Sequence, residues 1–305
     1  MLRVIKRLTV QEAVVILDLE DALWDVVFPE RTPELKNQGR KELVTFARNF
    51  PETFSQRQIG IRLNKSSSPE FTYDVSVLAQ IAGIVKFDTI VLTKVETSHE
   101  VANCITQMDT NHIRYNNIAL IIETKTGVDN LDDIINMAKV KNIKYIVYGH
   151  YDYSLDTEQW PFLEYDETGF WEQAIPIIRR IEERHLNYIH PPFFQIYDDK
   201  KFAENFHRLR TICKRPFGII TLGEQQTRHC LELAKDESIK DYRPLRNSRV
   251  YLQEELIQSA QTVKQSFEKN RRSNASFALD SKTGRFISPH VYLAAVRYLE
   301  KVQNG

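Results

Sequence analysis

Apolar runs rich in β-branched residues recur along the chain, and segments with helical spacing separate them. AVVILDLED (13–21) is the first clear run, followed by RQIGIRLN (57–64), DTIVLTKVE (88–96), NIALIIET (117–124) and IKYIVYGHYD (143–152). LNYIHPPF (186–193) and PFGIITLG (216–223) complete the set, and a weaker run covers 2–6. Continuous apolar runs of this kind suit strands buried on both faces, as in parallel sheets. Between them, SVLAQIAGIVK (76–86), DNLDDIINMAKVKN (129–142), FWEQAIPIIRRIEERH (170–185) and KKFAENFHRLRTICK (200–214) place apolar residues at helical intervals. Strand and helix thus alternate over more than two hundred residues, the pattern of an α/β fold with parallel strands. Seven strong strands and one weak one predict a (β/α)8 TIM barrel. A doubly wound open sheet is the alternative, but no GxGxxG or GxxxxGK[ST] turn follows any strand.

Beyond about residue 235 the pattern changes. DESIKDYRPLRNSR (236–249) reads as a polar surface connection and EELIQSAQTVKQSFEKNRRS (254–273) as an amphipathic helix. ALDSKTGRFISPH (278–290) is expected to be a loop, and VYLAAVRYLEKV (291–302) a terminal helix.

Composition narrows the partners. Lys plus Arg and Asp plus Glu both count 41, so no basic excess argues for nucleic acid or an anionic membrane surface. The three cysteines (Cys104, Cys213, Cys230) are odd in number and far apart, which fits free thiols in a reducing compartment. The opening segment runs quickly into acids, unlike a signal peptide or membrane anchor. These features predict a cytoplasmic protein.

Polar chemistry gathers where the predicted strands end. Asp18, Glu20 and Asp21 close the first, Arg62 and Asn64 the second, Lys94 and Glu96 the third, and Glu123 and Thr124 the fourth; Gly149, His150, Tyr151, Asp152 and Ser154 follow the fifth. Strand C-termini of a parallel barrel share one face, where barrel active sites are built. Carboxylates there suit a hard divalent cation such as Mg2+. Arg62 offers a planar fork for a carboxylate. Together they would bind a 2-oxo acid and stabilise charge on its enolate oxygen. Asp18 and Glu96 alone read as a cap or ion-pair partners, and Lys94 as an ion pair with Glu96 or a strand-one acid. Lys6, Arg7 and Lys65 read as solvated surface charge.

"ILDLEDAL", "IGIRLN" with Asp74 downstream, "VLTKVE", "IIETKTGVDNLDDI" and "YGHYDYS" occur in this order, and "GRFISPHVYLAAVRYLEK" closes the chain. Over residues 13–302 these blocks resemble the citrate lyase beta-subunit-like proteins, including malyl-CoA lyases, within the HpcH/HpaI aldolase superfamily. The resemblance implies a TIM barrel with a C-terminal helical lid segment, divided as a catalytic domain at 1–235 and a lid extension at 236–305. It implies a Mg2+-dependent carbon–carbon lyase or aldolase acting on a hydroxy acid or acyl-thioester. Glu123 and Asp152 fall at the two metal-ligand positions. Arg62 falls at the substrate-carboxylate position, Glu20 and Asp21 at a supporting acid pair with Arg62 counted among the catalytic groups, and Asn64 and Gly149 among the substrate contacts. The partner is a small 2-oxo acid or acyl-CoA-type molecule, and a homo-oligomer, trimer or hexamer, is expected by analogy.

Departures accompany the match. The lid's usual Asp is Ser288, which cannot carry a proton as a carboxylate does and counts against chemistry that depends on that acid. Thr221 and Leu222 replace an expected His-Pro, and only a short segment precedes "DLED". His190, beside two prolines, reads as structural. A non-catalytic or assembly-dependent binder of a metal with a 2-oxo acid or acyl-CoA, built on the same fold, is the competing reading.

Overall fold

A computed structural model describes residues 10–137, 142–236, 238, 243–271, 276–280 and 284–304. The weak strand expected at 2–6 and the end of the helix expected at 129–142 lie outside them. Seven parallel strands follow in chain order: β1 (Val15–Asp18), β2 (Ile59–Arg62), β3 (Phe87–Leu92), β4 (Tyr115–Ile122), β5 (Ile143–Tyr148), β6 (Asn187–His190) and β7 (Gly218–Ile219). The chain divides into two compact units, one ending at Val147 and the other beginning at Tyr148. The composition change near residue 235 therefore falls inside the second unit.

In the first unit the strands are shorter than the apolar runs that signalled them, because each run continues into its loop. Leu17 stands opposite Ile61, and Asp18 opposite Arg62; Arg62 in turn lies opposite Val91. Ile61, Leu63, Ile90, Leu92, Leu120 and Ile122 are buried. Helices α1 (Thr32–Asn49), α2 (Glu52–Gln56), α3 (Pro69–Ala79), α4 (Ser98–Thr110), α5 (Lys125–Asp129) and α6 (Leu131–Asn136) return the chain between strands. A parallel pair requires such crossovers. Each longer helix buries an apolar stripe: Leu43, Phe46 and Ala47 on α1; Phe71, Val75 and Leu78 on α3; Val101, Ile105 and Met108 on α4. The α4 start is fixed by a reciprocal cap, in which Thr97 accepts from the Glu100 amide and Glu100 accepts from the Thr97 amide. Gly127 is demanded by contact, since a β-carbon there would lie 2.4 Å from the Val95 carbonyl.

The second unit carries α7 (His150–Asp156), α8 (Thr168–Glu183), α9 (Asp199–Ile212), α10 (Glu224–Lys235), α11 (Gln253–Asn270) and α12 (Pro289–Asn304). β6 pairs with β7 through Ile189–Gly218 and His190–Ile219. His190 is fully buried, its ring stacked on Trp171 at 5.7 Å and 4.7 Å from Tyr165. Its Nδ1 lies 3.2 Å from the Tyr188 hydroxyl, and its Nε2 has no partner. Burial holds its pKa down at about 3, with His150 adding to the effect. Burial also lowers His150 to about 4, against a hydrogen bond between its Nε2 and the Leu163 carbonyl. The structural reading of His190 agrees with this cage.

The eightfold closed barrel is not seen among the described residues. Among the described residues of the first unit β1 pairs with β2 alone, and the described strands after β7 pair with each other. These are β8 (Ala278–Asp280) and β9 (Arg285–Ile287), an antiparallel hairpin where a loop was expected. What is formed is an α/β fold with parallel strands. No helix among the described residues is long and apolar enough to cross a membrane.

Candidate active site

The in-register tips of β1 to β4 bring the expected polar groups of the first unit together. Arg62 leaves β2 directly opposite Asp18. Its Nη2 donates to both Glu20 and Asp21, and its Nη1 lies 3.5 Å from Asp18. Burial works against the guanidinium's charge, yet Asp18, Asp21, Glu20 and Glu123 together raise its pKa well above the ordinary value. Its Nε–H is buried and has no acceptor. A buried donor without a partner is uncommon and asks for a ligand or water.

Lys94 stands just past β3 with φ +50°, a left-handed conformation that costs a non-glycine residue of order 1 kcal/mol or more. That turn aims its amide N–H at Glu123 Oε1, 2.9 Å away, while its ammonium donates to Glu20 and lies 3.8 Å from Asp21. One residue therefore holds the tips of strands one and four. Lys94 is paired with a strand-one acid, as its ion-pair reading expected. Asp18 caps the following turn by accepting from the amides of Glu20 (2.8 Å) and Ala22 (3.3 Å). Burial pushes its carboxyl above the usual range, against the pull of Arg62. Glu96 pairs with Lys65 at 2.8 Å; Lys6 and Arg7 lie outside the described residues.

Asn64 is buried and bonded by the chain on three sides. Its amide nitrogen donates to the Leu19 carbonyl (3.0 Å) and to Asp74 (2.8 Å), and its oxygen accepts from Lys36. Asp74 also accepts from the Asn64 main chain (2.9 Å) and from Arg40 Nε (2.8 Å). Burial lowers the Lys36 pKa, with Glu20 foremost among the acids opposing that fall. The supporting cations Lys36 and Arg40 went unread in the sequence because both sit in a helix of low apolar content. Four carboxylates (Asp18, Glu20, Asp21, Glu123) face three cations, Arg62, Lys94 and Lys36, so the cluster keeps an excess of negative charge. Hard oxygen donors in excess over fixed cations suit a hard divalent ion.

Residues 4–170, more than half of the 305, match the family model described as HpcH/HpaI aldolase/citrate lyase. This chain belongs to that family. Among curated proteins no sequence matches it. Solved structures agree in fold. The chain is similar to Haloferax volcanii malate synthase in a pyruvate/acetyl-CoA ternary complex, with a TM-score of 0.66 and 15% identity over 95% of this chain and 82% of that one. It is also similar to the Mycobacterium tuberculosis citrate lyase beta subunit complexed with oxaloacetate and magnesium, with a TM-score of 0.53 and 15% identity over 73% and 87%. RipC from Yersinia pestis gives a TM-score of 0.55 at 17% identity over 74% and 90%. At these identities the likeness is one of fold.

The second unit of this HpcH/HpaI-family chain holds the remaining expected residues. Gly149 immediately precedes α7, and Asp152 sits in the first turn of that helix. Asp152 Oδ1 lies 3.1 Å from Nε2 of His290, the second residue of α12. Sequence reasoning missed His290; its signal was the position two residues after Ser288, in the segment matched to the family lid. Ser288 itself is buried and accepts from the Val291 amide at 3.2 Å, a helix cap. At the missing His-Pro, Thr221 bonds Thr227 at 2.7 Å, while Gln226 accepts from the Leu222 amide and donates to the Phe193 carbonyl.

Proposed function

We propose that this protein is a Mg2+-dependent carbon–carbon lyase or aldolase that cleaves a hydroxy acid, or its acyl-thioester, to a 2-oxo acid or the related enolate. The observation that carries the reading is Arg62, clamped among Glu20, Asp21 and Asp18 with its Nε–H unanswered, beside Glu123 on the Lys94 amide. Glu123 would hold the ion; Asp152 is assigned as the second ligand from its sequence motif. Bound there, Mg2+ supplies Lewis-acid polarisation of the substrate's oxygen atoms. Arg62 grips the substrate carboxylate, and its fixed charge offsets negative charge that builds on the enolate oxygen as the carbon–carbon bond breaks. Glu20 or Asp21 takes the hydroxyl proton that starts the cleavage and returns a proton to the enolate carbon. Asn64 keeps the β2 tip in register, and Gly149 is assigned to the substrate contacts by its motif. On the same reading the fold completes as a barrel, the subunits form a homo-oligomer, trimer or hexamer, and the enzyme works in the cytoplasm.

Titration calorimetry with Mg2+ and oxaloacetate tests the reading. Glu123→Ala and Asp152→Ala are expected to lose Mg2+ binding, and Arg62→Lys to keep Mg2+ while weakening oxaloacetate by about tenfold or more. Metal binding by both alanine variants equal to the parent's would show the assignment to be wrong. The buried, capping Ser288 favours a second reading, a binder of a metal with a 2-oxo acid or acyl-CoA that performs no turnover. Tight Mg2+ and oxaloacetate binding, with no cleavage of any hydroxy acid or acyl-CoA offered, would select it.

A further inference from the structure

A cavity of about 220 Å³ lies in the second unit, away from every residue assigned above. Tyr165 and Phe193 form apolar walls, and α9 supplies polar ones. Lys201, Asn205 and Arg208 recur at positions i, i+4 and i+7, which puts them on one helix face. Asn205 decides the case. It is buried, at 3% exposure, and neither its amide nitrogen nor its amide oxygen has a hydrogen-bond partner. Buried amides without partners are rare in folded chains, and each one calls for an explanation.

The charges around the cavity are arranged unevenly. Asp166 is gripped by Arg246 through two bonds of 2.9 and 2.6 Å, and Glu164 accepts from Arg285 at 2.6 Å. Arg208 donates to the carbonyls of Tyr165 (3.4 Å) and Arg243 (2.7 Å). Lys201 makes no side-chain hydrogen bond among the described residues, although its charge helps to hold the Asp166 carboxyl below its ordinary pKa, and Glu204 meets Arg243 at a loose 3.5 Å. The cavity wall thus carries an ammonium (Lys201), a carboxylate (Glu204) and, next to the carboxylate along the helix, the buried Asn205 amide with one donor side and one acceptor side.

We propose that this cavity is a binding site for a free α-amino acid with an apolar side chain. The ligand's carboxylate accepts from Lys201 and from the Asn205 amide nitrogen. Its ammonium donates to the Asn205 oxygen and to Glu204. Its side chain packs against Tyr165 and Phe193. A phosphate or a simple dicarboxylate lacks the donors that the Asn205 oxygen and Glu204 need, and a diamine lacks the acceptors. Drug-sized molecules occupy sites of roughly 300–1,000 Å³, so this smaller volume suits a ligand of amino-acid size.

Calorimetric titration of the full chain with each apolar and aromatic amino acid, and with the matching acid that lacks the amine, tests the proposal. Saturable binding of at least one amino acid is expected, with the amine-free acid weaker by about tenfold or more. Asn205→Leu is expected to abolish binding. Lys201→Met, at a half-exposed position that the fold tolerates, should weaken it by about tenfold. Glu123→Ala should bind the amino acid as the parent does, so failure of the lyase reading leaves this result untouched. Absence of binding by every amino acid offered, or binding that survives both α9 substitutions, overturns the proposal.

Discussion

Replacing His190 with phenylalanine should remove much of the acid sensitivity of the second unit. His190 is enclosed by Trp171, Tyr165, Phe170 and Tyr188, and burial holds its pKa at about 3. An unfolded chain binds a proton on the same ring near pH 6.5. The unfolded state therefore holds more protons at every pH between those two values, and stability must fall as pH falls through that window. Each pH unit below about 6.5 costs about 1.4 kcal/mol per such histidine, so the step from pH 7 to pH 5 costs about 2 kcal/mol for His190. His150, lowered to about 4, contributes a similar amount over the same step. His190→Phe keeps an aromatic ring against Trp171 and abolishes one of the two contributions. The assay is urea unfolding at pH 7, 6 and 5, followed by Trp171 fluorescence in a Trp24→Phe, Trp160→Phe background. The loss of stability between pH 7 and pH 5 should be smaller in the variant by about 2 kcal/mol. Equal losses in the two proteins would refute the reasoning, whatever their stabilities at pH 7.

Two further outcomes follow from charges and thiols placed out of water. Arg40→Met leaves the fully buried Asp74 without its cation, and a broken buried pair typically costs about 3–5 kcal/mol, measurable as a lower urea midpoint; a change below about 1 kcal/mol would mean that Asn64 alone satisfies Asp74. Burial raises the thiols of Cys104 and Cys213 to about 12 and that of Cys230 to about 11, so at pH 8 each is almost wholly protonated. Iodoacetamide should label the native chain far more slowly than the urea-unfolded chain, and mass spectrometry showing Cys213 or Cys230 labelled at equal rates in both would contradict this.

The strands were legible because parallel strands are rich in apolar residues, and runs such as AVVIL (13–17) and IALII (118–122) write five of them in succession. Their ends were less so. PFGIITLG yields only Gly218–Ile219 as strand, since a run of apolar letters does not say where ladder bonding stops. Helices α1, α4 and α10 escaped notice because polar residues outnumber their buried stripes, although the Thr97–Glu100 cap was written plainly before α4. The hairpin of β8 and β9 hid in a segment too short to show alternation.

At the candidate site, charge and order along the chain singled out Glu20, Asp21, Arg62 and Glu123 as candidates, and the pairing of β1 with β2 and of β3 with β4 brings those strand ends near one another. No pattern foretold that Lys94 would turn left-handed to hold Glu123 with its main chain. Nor could the sequence distinguish Asn205, whose amide looks like any polar residue on an amphipathic helix until its neighbours are known.

Arg62 and Lys94 answer part of the charge of Asp18, Glu20, Asp21 and Glu123 from within the chain. The chain's own ion pairs thus tie the strand tips together, unlike a zinc finger, whose chain collapses only around its metal. A chelator would strip such a pocket without melting the protein. The free energy released on loading then does not go into ordering the backbone and shows instead as affinity for the ion.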